Sequence, residues 1–150
     1  MELNRGTQRS DQAMTITIIN RPISKKNSRQ IIRAGMRLIP IVSKQYKAFE
    51  KDALQQLVDQ GLTDLVGKDD YMPAKMFTTP VKVDYVFHMK GKMDSDGDNM
   101  EAGINDILQK AGIIQNDSLI REWTGKKIPL SLQWKTEVTI TALESPQTLD

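Results

Sequence analysis

Three aspartates, Asp94, Asp96 and Asp98, alternate within five residues of the segment GKMDSDGDN, residues 91–99. Carboxylates this close repel one another, and burying any part of the cluster is costly. A hard divalent cation removes that cost, and an all-oxygen donor set suits Mg²⁺, Mn²⁺ or Ca²⁺. Two plainer roles compete with it. One is a solvated acidic turn; the other is helix capping, with Asp98 ahead of a helix that begins near Met100. An EF-hand calcium loop fits poorly. Counted from Asp94, positions 1, 3 and 5 are acids, but position 6 is Asn99 and position 12 is Asn105. The glycine turn and the bidentate carboxylate are both missing, and the preceding segment reads as a strand where an EF-hand needs a helix. A calcium-binding structural domain with no nucleic-acid partner stays as a rival reading.

The rest of the composition narrows the chemistry. The chain has 150 residues and no cysteine, which excludes disulfides, thiolate zinc sites and cysteine nucleophiles. Its one histidine, His88, falls on the polar side of its strand and is read as a surface residue. No apolar run approaches the ~20 residues of a membrane helix, and the first residues lack a secretory core. A cytoplasmic protein is expected. The net charge of +2 hides an asymmetry. Residues 1–50 carry ten Lys and Arg against three acids, and residues 51–150 carry 11 against 16. A basic first third suggests a polyanionic partner.

The elements that must position these groups follow from periodicity. Residues 1–13 read as a disordered tail, 14–144 as one domain and 145–150 as a frayed end. TITIIN (15–20) is a β-branched strand. Residues 29–42 hold two apolar pieces that suit a hairpin. Tyr46, Phe49, Ala53, Leu54, Leu57 and Val58 recur at helical spacing up to Gly61. Residues 62–77 look irregular. Val81, Val83, Tyr85, Phe87 and Met89 alternate with polar residues in a half-buried strand. Met100, Ile104, Ile107, Leu108 and Ala111 mark a second helix, stopped by Gly112. Strands are expected over 118–128 and 134–142. The order predicts an α+β fold: a small mixed β-sheet with two main helices packed on it in two layers.

Together the motifs are more specific than any one alone. Asp96-Gly97-Asp98-Asn99 opens a helix, Asp106-Ile107-Leu108 lies two turns on, and AGIIQNDS brings Asp117 before a strand taken to end at Lys126 and Lys127. Upstream, RPISKKNS (21–28) is a polar loop, and Ser43-Lys44-Gln45-Tyr46 opens the first helix. This layout resembles the RusA family of Holliday junction resolvases of bacteria and their phages, from about Ile16 to Ile140. The resemblance implies a homodimer that binds four-way DNA junctions and nicks two strands symmetrically, with Mg²⁺ or alternatively Mn²⁺ as cofactor. The family's metal-binding aspartates map onto Asp96, Asp98 and Asp117. Asp94 is an extra acid, and Asp106 matches a supporting helix aspartate.

Carboxylate-held Mg²⁺ suits phosphodiester hydrolysis, which builds negative charge on phosphorus and on the leaving oxygen. Phosphate contacts must then come from the basic segment, where Lys25, Lys26, Asn27, Arg29, Arg33 and Arg37 are the candidates. Two positions depart from the family pattern. Ala102 stands where the family has a lysine, on a helix face expected to be shared by Asp98, Ala102 and Asp106. Asn116 stands where a paired acid is usual. Lys92, Lys126 or Lys127 could substitute for the lysine; Lys126 is taken as the catalytic one and Lys127 as supporting. An inactive branched-DNA-binding protein of the same fold is the alternative that these departures motivate.

Overall fold

The computed structural model describes residues 13–25, 29–34 and 37–143, with the backbone alone over 29–34 and 37–42. Residues 1–12 and 145–150 of the expected tails, and Lys26 and Asn27, lie outside the described residues, as do the side chains of Arg29, Arg33 and Arg37; Ala13, expected in the tail, opens the first strand.

The long strand β6 (Val81–Lys90) organises the molecule. Its alternation buries Val81, Val83, Tyr85, Phe87 and Met89 on one face. Strand β8 (Lys135–Ala142) repeats the pattern with Thr136, Val138 and Ile140. With β1 (Ala13–Ile18) and β7 (Ile120–Ser131) they form a four-stranded sheet ordered β1-β8-β6-β7. β1 and β6 run antiparallel to β8, while β7 runs parallel to β6, so the sheet is mixed. Parallel pairing of β6 with β7 requires a crossover, and a helix supplies it.

Both expected helices form. α1 (Lys44–Asp59) is capped by Ser43, whose Oγ accepts the Tyr46 amide at 3.1 Å. It buries Tyr46, Phe49, Ala53, Leu54 and Leu57. Gly61, at φ +76°, turns the chain beyond it. α2 (Gly97–Lys110) is the crossover and buries Met100, Ile104, Ile107 and Leu108 against the sheet. Both helices pack into one core with the buried face of the sheet, giving the expected α+β fold. Residues 29–42 form a hairpin of β2 (Arg29–Ala34) and β3 (Arg37–Val42), with Ala34 opposite Arg37.

The segment expected to be irregular contains a second small ribbon, β4 (Thr63–Leu65) and β5 (Tyr71–Pro73). Three-residue strands are too short for a period-2 pattern to register in sequence. Tertiary contacts hold them: the Thr63 hydroxyl donates to the Ala111 carbonyl at 2.8 Å, and Pro73 packs on Gly112. The β7 strand starts two residues later than expected and runs three residues further, so Lys126 and Lys127 lie within it rather than at its end. No helix among the described residues is long and apolar enough to cross a membrane.

Candidate functional site

The aspartate loop joins β6 to α2, and the helix begins three residues earlier than Met100. Asp96, not Asp98, is therefore its N-cap: Asp96 Oδ1 accepts the Asp98 amide at 2.9 Å. Asp98 sits in the first turn, where its charge meets the positive end of the helix dipole.

A cleft of about 300 Å³ runs between α2 and the edge strand β7, lined by Tyr85, Asp98, Glu101, Ala102, Asn105, Asp117, Ile120 and Trp123. Asp98 and Asp117 both line it, and Asp96 does not. Asp117 begins a single 3₁₀ turn (Asp117–Leu119) capped by Asn116, and its amide donates to Gln109 Oε1 at 3.0 Å. Tyr85, whose hydroxyl donates to Asn105 Oδ1, has its pKa raised by burial, with Glu101 and Asp117 adding to the rise. Asp117 thus lies abreast of the Asn105 turn, and seven residues of helix separate that turn from Asp98 by about 10 Å.

Helix geometry also decides which residues share this cleft. Eight residues of an α-helix overshoot two turns by about 80°, whereas seven fall about 20° short. Asn105, rather than Asp106, therefore follows Asp98 and Ala102 on the cleft face. Asp106 points instead to the polar loop, where its Oδ2 accepts the Lys25 amide at 3.1 Å. Burial raises its carboxyl pKa against the lowering effect of Lys25.

Glu101, between Asp98 and Asn105, was not singled out by the sequence pattern. Burial first, and Asp98 second, push its carboxyl up from the usual range. The missing signal is on another strand. Gly125 of β7 leaves room for the Glu101 carboxylate, since a Cβ there would lie 2.6 Å from Glu101 Oε2. Tyr85, Asn105 and Trp123 were likewise missed as lining residues, because only the pairing of β7 with β6 brings them together.

The lysines divide by strand alternation. In the parallel register Val83, Tyr85 and Phe87 stand beside Trp123, Gly125 and Lys127, on the face that carries the helices. Thr124 and Lys126 fall on the opposite face, where the Thr124 hydroxyl donates to Asp84. Lys126 is thus turned away from α2, contrary to its expected catalytic position. Lys127 reaches the aspartate loop, with its Nζ 3.1 Å from Asp94 Oδ1. That contact and the Ser95 amide hold the Asp94 carboxyl below the usual carboxylate range. Lys92 is exposed in the loop.

The basic polar loop is seated on the other side of α2. Arg21 donates to the Asp94 carbonyl at 3.1 Å and lies 4.9 Å over the Trp134 ring. A larger cleft of about 720 Å³, lined by Asn20, Arg21, Gln45 and Asp52 among others, separates this loop from α1. His88 bonds Glu137 at 2.7 Å, on the face away from the helices.

The donors in the cleft are all oxygens, and none of its lining residues is basic. Among the described residues no three His, Asp or Glu side chains form a ready-made metal cluster. Mg²⁺ does not need one, because it is usually held by one or two carboxylates together with waters and substrate phosphate oxygens. Asp98 and Asp117, with Glu101 between them, fit that donor chemistry.

Fold and cleft thus define a class: a small α+β domain with a carboxylate-lined groove beside an edge strand. The chain is similar to the crossover junction endodeoxyribonuclease RusA of Escherichia coli O139:H28 (strain E24377A / ETEC), at 36% identity over 64 residues. The match covers 43% of this chain and 53% of that protein, so the chain spans about half the length of the curated relative it matches. No family model matches the chain.

Proposed function

We propose that this protein is a divalent-metal-dependent endodeoxyribonuclease that acts on branched DNA, resolving four-way junctions by paired nicks as a homodimer in the bacterial or phage-infected cell. The observation that carries this reading is the cleft that Asp98, Glu101 and Asp117 line, with no basic residue among the lining. The similarity to the RusA endonuclease supports it. Asp98 and Asp117 would hold the ion, which would neutralise charge developing on phosphorus and the leaving oxygen.

The remaining roles belong to the chain itself. Asp96 fixes the first turn of α2 and so orients Asp98. Lys127 sets one cation beside the aspartate loop, where it offsets Asp94 and is placed to meet a phosphate oxygen. Lys25 and the basic residues that follow supply phosphate contacts that carry no sequence information. Asp106 binds that loop to the back of the same helix, coupling DNA grip to the cleft.

The test is cleavage of an end-labelled synthetic four-way junction with Mg²⁺. The wild-type protein should produce symmetric nicks. Asp98→Asn and Asp117→Asn should each lower cleavage by about 100-fold or more while retaining junction binding at low salt. Tight binding with no product from the wild-type protein would favour the inactive DNA-binding alternative, for which Ala102 in the cleft is the supporting observation. No binding at low salt would overturn both.

A further inference from the structure

Trp123 lines the same cleft as Asp98 and Asp117, yet its side chain is 60% exposed. The chain's other tryptophan, Trp134, is only 9% exposed and lies beneath Arg21. β7 is the outer strand of its sheet. Beside the indole the cleft wall is apolar at Ile120 and Ala102, and Tyr85, Asn105 and the three acids line the rest. The other exposed apolar side chains on and beyond β7, Leu130 and Leu132, begin seven residues further along, about 23 Å at strand rise. Along β7, Trp123 is therefore a single exposed flat ring, well separated from the other exposed apolar side chains of that segment.

We infer that Trp123 is a stacking platform for an unpaired or arm-terminal nucleobase, held next to the phosphate that enters the cleft. The inference rests on the nuclease reading of that cleft and deepens it by assigning a residue to substrate selection. In continuous duplex both faces of each base are occupied by neighbours. At a branch point base faces become available, and every base presents a π-face to an aromatic ring. A stacking ring on the cleft wall would favour branched over linear DNA without reading sequence.

The test uses the full-length chain in EDTA, so that binding is measured without cleavage. Affinity is measured for a four-way junction and for a linear duplex of the same sequence. Trp123→Ala should weaken junction binding by about ten- to a hundred-fold and change duplex binding little, and Trp123→Phe should restore the junction preference. Tryptophan fluorescence of the wild-type protein should be quenched by the junction, and the quench should vanish in Trp123→Phe. Equal affinities in all three proteins, or an equal loss for junction and duplex, would overturn the inference. So would a Trp123→Ala protein that sediments as a monomer where the wild type is a dimer, since the ring would then be a subunit contact. If the wild-type protein binds no junction, the nuclease reading falls and the stacking role falls with it. If it binds and cleaves normally while Trp123→Ala is unaffected, only the stacking role falls.

Discussion

At the scale of single residues, neighbouring aspartates take up different work. Asp96 spends an oxygen on the helix end, Asp94 on Lys127, and only Asp98 of the three opens onto the cleft. The Asp94–Lys127 pair is a local way of placing a lysine near the loop even though position 102 is alanine. Asp94 has a depressed carboxyl, so its ion pair is in place above the ordinary carboxylate range and is lost as the pH falls through the depressed value. Lys127→Ala should return the Asp94 titration midpoint upward to that ordinary range, followed by NMR of the carboxyl resonance. An unmoved midpoint would mean the pair does not persist in solution. The pair is solvent-exposed, so the change in global stability should be small.

At the scale of elements, α2 presents two working faces to the rest of the chain. One face carries Asp98, Glu101 and Asn105 to the cleft, and another receives the basic loop through Asp106 and Gly103. Gly103 is the closer contact: a Cβ there would lie 2.6 Å from the Ile23 carbonyl oxygen and 2.8 Å from its carbon. In an open helix, replacing glycine with alanine gains about 1 kcal/mol. Here the obstacle is backbone, which cannot swing aside, so overpacking should win by about 1–3 kcal/mol. Gly103→Ala should therefore lower stability in chemical denaturation and speed amide exchange at Lys25. A stabilised variant would show that the loop is not seated on the helix. Gly125 offers the contrast: there a Cβ would meet only the carboxylate of Glu101, which can move.

At the scale of the whole molecule, one core carries both the sheet and the helices. Ile104 is fully buried on α2, one turn from both Met100 and Leu108. Ile104→Ala removes buried hydrocarbon and leaves a cavity, at a cost of about 3 kcal/mol, and should lower Tm by roughly 10 °C. Because α2 also carries Asp98, the proposed junction cleavage should fall on warming well before that of the wild-type protein. A Tm within two or three degrees of wild type would mean that α2 packs more loosely than described.

The main strands and helices were legible in the chain because their burial is periodic. Val81 to Met89 alternate as a half-buried strand must, and Tyr46 to Leu57 repeat as an amphipathic helix must. The aspartate loop stood out in the chain because like charges at that density call for a counter-ion or solvent. What sequence could not decide was which neighbours meet. Spacing by four pointed to Asp106 as a companion of Asp98, while a helix of 3.6 residues per turn brings Asn105 instead. Lys126 and Lys127 are adjacent in sequence, yet the pleat sends them to opposite faces of β7. Glu101 and Trp123 entered the cleft only because β7 pairs in parallel beside β6, with glycine at position 125. Local periodicity is written in consecutive residues, but a cleft is made by segments far apart in the chain, and their meeting is settled by register and packing.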